Sequence, residues 1–284
     1  MDQATHLRQL VREAVDQHGD LAPGAPLIAI TGAQPCIGAT TIACGLAREL
    51  AGLGKQVILI DANLSTPTIA AAFDAQPHGT LADILTGARR AIEVLVAPAE
   101  NIRLLPGATL TDSTNLNFEA LAHLQSELAA LCRQSDIVLL DAGAGMSPWI
   151  DRLWQLAQHV LLVATPASST VVDAYAVLKQ SHQGASGKLQ LVVTRCDAAA
   201  DAARIHAGFS ATCQRFLDHD VKPPAILPTL DLADEAPFAR SLRLLAADLA
   251  CDFRSLAARL PARAARLTPH LNPSMRLTHL APGQ

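Results

Sequence analysis

Three short segments carry residues whose types and spacing could hold a phosphate, a metal ion and an attacking water. The first is Thr31-Gly-Ala-Gln-Pro-Cys-Ile-Gly-Ala-Thr-Thr41, a run of small residues between an apolar stretch and a helical pattern. A phosphate loop of the form G-x-x-x-x-G-K-[ST] uses glycines to bring backbone N–H groups to the phosphates, a lysine for charge and a hydroxyl for Mg²⁺. Here Gly38 and Thr40 keep their types, Ala33 replaces the first glycine and Ala39 stands at the lysine position. The missing lysine contact is worth roughly 1.5–3 kcal/mol, about one to two decades in affinity. Pro35 removes one backbone N–H from the cradle, and Cys36 and Ile37 add Cβ atoms where the backbone must approach a phosphate. No Lys or Arg lies between Arg12 and Arg48, so none near in sequence supplies the charge. The helix N-terminus still favours an anion, which makes Gly38, Thr40 and Thr41 the candidates for weak nucleotide binding.

The second segment, Val57-Ile-Leu-Ile-Asp-Ala-Asn63, ends an apolar run in Asp61 and places Asn63 two residues on. The third, Asp136-Ile-Val-Leu-Leu-Asp-Ala-Gly-Ala-Gly-Met-Ser147, places Asp141 after another apolar run. Carboxylates at such strand ends can order Mg²⁺ through water, so Asp61 and Asp141 are the candidate metal residues. Asn63 carries an amide, which cannot act as a general base.

Elements that alternate strand and helix must position these loops. Apolar runs at Leu27–Ile30, Val57–Ile60, Ile102–Leu105, Ile137–Leu140, Val160–Val163 and Leu189–Val193 suit buried parallel strands, with Ala225–Leu227 as a last short one. Helical patterns run over Thr40–Gly52, Phe118–Arg133 and Val171–Gln180. The expected fold is α/β: a doubly wound, mostly parallel sheet flanked by helices, with ligands at the carboxyl ends of its strands. Four regions are expected: an N-terminal amphipathic helix over residues 1–20, a linker over 21–26, the main domain over 27–260 and a basic, disordered tail over 261–284. Between Phe253 and Gln284 lie five arginines and no acidic residue, while Pro261, Pro269, Pro273 and Pro282 interrupt any long helix.

The loops resemble those of the MinD/ParA family of P-loop NTPases. The first aligns without gaps on S-G-K-G-G-V-G-K-T, with Gln34 at the signature lysine that in the family reaches across the dimer and Ala39 at the P-loop lysine. The second is similar to L-I-D-x-D, with Asn63 in place of the aspartate to which the resemblance assigns water activation. The third resembles D-x-x-x-x-D-T-G-A-G-I-S, in which Asp141 is the Walker B carboxylate. Asn101-Ile-Arg-Leu-Leu-Pro-Gly107 and Thr165-Pro166 with Asp173-Ala-Tyr-Ala176 resemble the flagellar branch. Thr194 stands where the family has the asparagine of L-V-V-N. The resemblance implies ATP or ADP with Mg²⁺ as the ligand; the eroded residues imply weak binding and little or no hydrolysis, so no catalytic residue for ATP hydrolysis is expected.

Asp2-Gln3-Ala4-Thr5-His6-Leu7-Arg8 fits D-Q-A-x-x-L-R in full. That motif opens the flagellar number and placement regulators of this family, the FlhG, FleN and YlxH type. The resemblance implies that Asp2, Gln3, Ala4, Leu7 and Arg8 dock on an SRP-type flagellar GTPase and stimulate GTP hydrolysis, with Gln3 as the acting residue. An ordinary helix start whose apolar stripe packs on the domain is the simpler alternative. The resemblance permits flagellar base components or a flagellar transcription regulator as further partners, and the basic tail permits weak membrane contact.

Composition narrows the classes. The net charge is −4 and aromatic residues are 3%, which disfavours direct nucleic-acid binding. Six scattered cysteines have no C-x-x-C spacing and read as packing residues in a reducing compartment. No secretory start and no apolar run of about 20 residues are seen, so a cytoplasmic location is expected, peripheral at the inner membrane face or cell pole. The leading expectation is a GTPase-activating regulator on a MinD-like scaffold. A weakly ATP-binding switch of the same family is the alternative. A polysaccharide-type bacterial tyrosine kinase is a second, set against a chain with one tyrosine, Tyr175, and no lysine in the loop.

Overall fold

The computed structural model describes residues 24–110, 118–180, 188–217 and 221–259. Residues 2–8, the expected N-terminal helix and the basic tail beyond residue 259 lie outside the described residues. Eight strands form one sheet: β1 Leu27–Gly32, β2 Val57–Asp61, β3 Val96–Ala99, β4 Ile102–Leu105, β5 Ile137–Ala144, β6 His159–Ala164, β7 Lys188–Val193 and β8 Val221–Ile226. Their order across the sheet is β3-β4-β2-β5-β1-β6-β7-β8. All neighbours are parallel except β3 and β4. β1, β2 and β6 are buried along their whole length, as uninterrupted apolar runs require when helices cover both faces of a sheet.

Nine helical segments are described: α1 Ala39–Gly52, α2 Ile69–Ala72, α3 Leu81–Leu85, α4 Ala91–Val94, α5 Phe118–Cys132, α6 Pro148–Leu156, α7 Ser168–Gln180, α8 Ala199–Leu217 and α9 Ala236–Arg259. α1 turns Ile42, Leu46 and Leu50 into the core. The last helix, α9, packs along α1 so closely that a Cβ on Gly45 would lie 2.4 Å from Leu242 Cδ1. Arg243 Nε donates to Glu49 Oε2 at 2.8 Å beside that contact. Residues 25 and 26 of the expected linker are already laid on the domain: Ala25 N donates to the Cys132 carbonyl at 2.7 Å and Val138 N to that of Pro26 at 3.0 Å.

The departures from the sequence expectation concern both edge strands and the length of the central β5. β3 is an antiparallel strand that no apolar run announces, because an outer strand is half solvated and tolerates Pro98. β8 begins at Val221, four residues before the expected Ala225, because Pro223 and Pro224 are accommodated in an edge strand. β5 continues past Leu140 to Ala144, carrying Asp141 inside the strand. Cys44, Cys132, Cys196 and Cys213 are buried and Cys36 and Cys251 exposed. Burial pushes the Cys44, Cys132 and Cys213 thiols up to about 11, which keeps them protonated and suited to packing. Among the described residues no helix is long and apolar enough to cross a membrane.

Candidate functional site

β1 lies between β5 and β6, and the crossover from β1 to β2 leaves toward one edge of the sheet while that from β6 to β7 leaves toward the other. The three loops of interest leave the carboxyl ends of adjacent strands β2, β5 and β1, the position at which open α/β sheets bind ligands. Register fixes the pairing: Asp61 lies directly opposite Asp141, and Ile30 opposite Asp141 from the other side.

The loop between β1 and α1 is threaded by backbone bonds to its neighbours. Ala33 N donates to the Val163 carbonyl at 2.8 Å, and Gly145 N to the Gly32 carbonyl at 2.8 Å. Gly38 precedes α1 at φ 101°, a left-handed conformation that favours glycine. Ala39 follows it and is 8% exposed, so the position aligned with the family's lysine carries a buried methyl group. Thr40 Oγ1 donates to Asp141 Oδ2 at 2.6 Å, while Thr41 is exposed. Gln34 Nε2 donates to Asp173 Oδ2 on α7. Arg195, which follows β7, donates from Nη2 to the Cys36 carbonyl at 2.9 Å.

Asp61 is 1% exposed and tied into its own loop. Its Oδ2 accepts from Thr68 N at 2.8 Å and Ile69 N at 2.9 Å, which fixes the start of α2, and its Oδ1 accepts from Asn63 N at 3.3 Å. Burial pushes the Asp61 carboxyl from an ordinary 3.8 up to about 6; the Ile69 N–H opposes this and the Asp141 charge adds to it. Asp141 is likewise raised by burial, against the Thr40 hydroxyl and the Gly143 N–H that donates to its Oδ1 at 3.1 Å.

Asn63 is occupied by its own turn. Its Oδ1 accepts from Ser65 N and Thr66 N, each at 3.2 Å, and its Nδ2 donates to the Thr66 carbonyl at 3.1 Å. This is an Asx turn that closes the β2 loop, a use for which asparagine is suited. Gly143 packs against it, at φ 81°, and a Cβ there would fall 2.9 Å from Asn63 Cγ.

The structure thus brings Gln34, Gly38, Ala39, Thr40, Asp61, Asn63 and Asp141 to one end of the sheet. Thr40 with Asp61 and Asp141 offers one hydroxyl and two carboxylates, a donor set of the hard oxygen type that suits Mg²⁺. On the phosphate side, Ala39 supplies no charge and Pro35 no N–H donor. Asp2, Gln3, Ala4, Leu7 and Arg8 lie outside the described residues.

Two kinds of residue escaped the sequence reading. Arg195 brings a cation to the loop, yet it lies 159 residues from Cys36, and the β1-β6-β7 order places it there. Trp149 and Trp154 on α6 fasten the site from behind. Trp149 Nε1 donates to the Ala62 carbonyl and Trp154 Nε1 to Thr31 Oγ1, both at 2.8 Å. Their spacing in a helix that follows Ser147 was the available signal.

Comparison with known proteins places this geometry. The family described as cellulose biosynthesis protein BcsQ matches residues 25–204. The antiactivator FleN of Pseudomonas aeruginosa is 27% identical over 214 residues, which cover 75% of this chain and 76% of FleN. The flagellum site-determining protein YlxH of Helicobacter pylori is 27% identical over 54% of this chain and about half, 52%, of YlxH. Among solved structures, the septum site-determining protein MinD of Pyrococcus horikoshii, complexed with Mg-ADP, superposes with a TM-score of 0.65 at 18% identity over 83% of this chain and 100% of that one, a likeness of fold. The resemblance to flagellar regulators read from the loops is borne out by FleN and YlxH. With strand order, loop positions and matched residues in agreement, the chain belongs to the BcsQ family of MinD/ParA-type P-loop proteins.

Proposed function

We propose that this protein regulates the number or placement of flagella, and that it does so by binding an SRP-type flagellar GTPase and stimulating GTP hydrolysis through Asp2–Arg8. Its MinD/ParA domain serves as the scaffold, with an impaired ATP site. The observation that carries the scaffold half is the state of the loop: the lysine position is a buried methyl at Ala39, and the amide of Asn63 is consumed by its own turn. Neither can neutralise a γ-phosphate or take a proton from water. The match to FleN over three quarters of the chain supports the flagellar half.

The test is GTP turnover by the cognate SRP-type GTPase, with and without this protein, in the absence of ATP. Stimulation that Gln3→Ala removes is the expected result. Stimulation only when ATP is added would mean that the loop still gates the arm, and no stimulation under either condition would overturn the GTPase reading. The description of the matched family favours one second reading, control of cellulose synthesis. A deletion strain with normal flagella and altered cellulose output would select it.

A further inference from the structure

Beyond the bonds at its base, from Gly145 N to the Gly32 carbonyl, from Ala33 N to the Val163 carbonyl and from Thr40 to Asp141, the tip of the phosphate loop meets two side chains from outside it. Gln34 Nε2 donates to Asp173 Oδ2 on α7, and Arg195 Nη2 donates to the Cys36 carbonyl from the loop after β7. The ends of the second contact share an unusual backbone. Four described non-glycine residues have positive φ: Cys36 at 59°, Asp74 at 48°, Asn101 at 60° and Arg195 at 54°. Asp and Asn tolerate that region through their short polar side chains; Cys and Arg have no such excuse and hold it only where the surroundings over-determine it. The two strained residues of unsuited type are the two that are bonded to each other. No charge within the loop competes for these contacts, because Ala39 has none.

We infer that Gln34–Asp173 and Arg195–Cys36 form an intrachain clasp that fixes the phosphate loop in one shape without a ligand. Asp173 and Arg195 are positioning residues in this scheme: they supply, from the same chain, anchors that a bound phosphate would otherwise provide. The inference rests on the reading that the scaffold works without ATP, and it deepens that reading by naming what sets the loop.

The experiment is amide hydrogen exchange on the full chain, following Ala33, Ile42 and Gly145, whose N–H groups donate to the Val163, Gly38 and Gly32 carbonyls at the borders of the loop. Wild-type exchange at these amides is expected to be the same with and without Mg-ATP. Asp173→Ala removes a charge-assisted bond and is expected to speed exchange roughly tenfold. Arg195→Asn tolerates the left-handed backbone, removes the guanidinium and is expected to speed it about fivefold. Gln34→Glu sets carboxylate against carboxylate and loosens the loop, while the double change Gln34→Glu with Asp173→Asn restores an amide–carboxylate bond with the roles exchanged. Exchange that returns to within about twofold of wild type in that double variant supports the clasp, since loss of general stability would not be rescued. Unchanged exchange in the single variants, no rescue in the double variant, or strong wild-type protection by Mg-ATP would overturn it. GTP turnover measured on the same wild-type protein separates the two ideas: absent stimulation overturns the activator reading and leaves the exchange result standing, and the reverse holds equally.

Discussion

Replacing Asp61 by asparagine tests whether the buried carboxylates burden the fold at neutral pH. The folded carboxyl holds its proton up to about pH 6, whereas an unfolded chain loses it near 3.8. A folded pKa raised above the unfolded one means that stability is full below about 3.8 and falls as pH rises to about 6. At ~1.36 kcal/mol per pH unit, that interval amounts to about 3 kcal/mol. The substituted asparagine cannot ionise. With its Oδ1 in place of the Asp61 Oδ2, it keeps the bonds from Thr68 N and Ile69 N, but its Nδ2 then faces Asn63 N and loses the 3.3 Å contact. That loss costs about 1 kcal/mol. Asp61→Asn should therefore be about 0.5 kcal/mol less stable than wild type at pH 4 and about 2 kcal/mol more stable at pH 7.5, with the sign reversing near pH 4.5. Urea unfolding of both proteins across this range, compared at each pH, cancels the titration of the carboxylates that do not face Asp61, and the same comparison on an Asp141→Asn background removes the coupled one. A difference that stays constant with pH would refute the assignment of the raised pKa to Asp61.

Two more outcomes follow from the geometry. Gly143→Ala combines a φ of 81° with a Cβ 2.9 Å from Asn63 Cγ, so thermal or urea unfolding should show a loss of about 2–4 kcal/mol; a loss below about 1 kcal/mol would mean that the Asx turn yields easily. Ala39→Lys restores charge but leaves Asn63 in its turn and Gln34 on Asp173, so ATP turnover should stay at background in a phosphate-release assay; measurable turnover in that single variant would show that the lysine alone was limiting.

The centre of the fold was legible because its strands are buried on both faces. Leu27–Ile30 and Val57–Ile60 are apolar without interruption and alternate with helical patterns, the arrangement that marks buried parallel strands. The edges were less legible, for a matching reason: Val96–Ala99 and Val221–Ile226 contain prolines and are only partly buried, so the first went unseen and the second was seen only at its Ala225–Ile226 end. Within the site, Asp61, Asp141 and Thr40 could be found because each follows a recognisable run of sequence. What Asn63 does could not: its type argues only that a base is absent, while the turn it closes depends on the path of Ser65 and Thr66. Arg195 was hidden more deeply, since a contact across 159 residues is a property of strand order and leaves no local pattern.

The chain has two tryptophans, and α6 carries both. Each indole hands its N–H to a different loop of the site, one at Ala62 and one at Thr31. The molecule therefore contains its own optical gauge. Indole emission responds to the hydrogen bond and to water at the ring, and these rings are 4% and 0% exposed. Any event that pulls the β2 loop or the base of the phosphate loop away from α6 must change the ultraviolet emission of the unlabelled protein, and Trp→Phe at one position assigns the signal to the loop that moved.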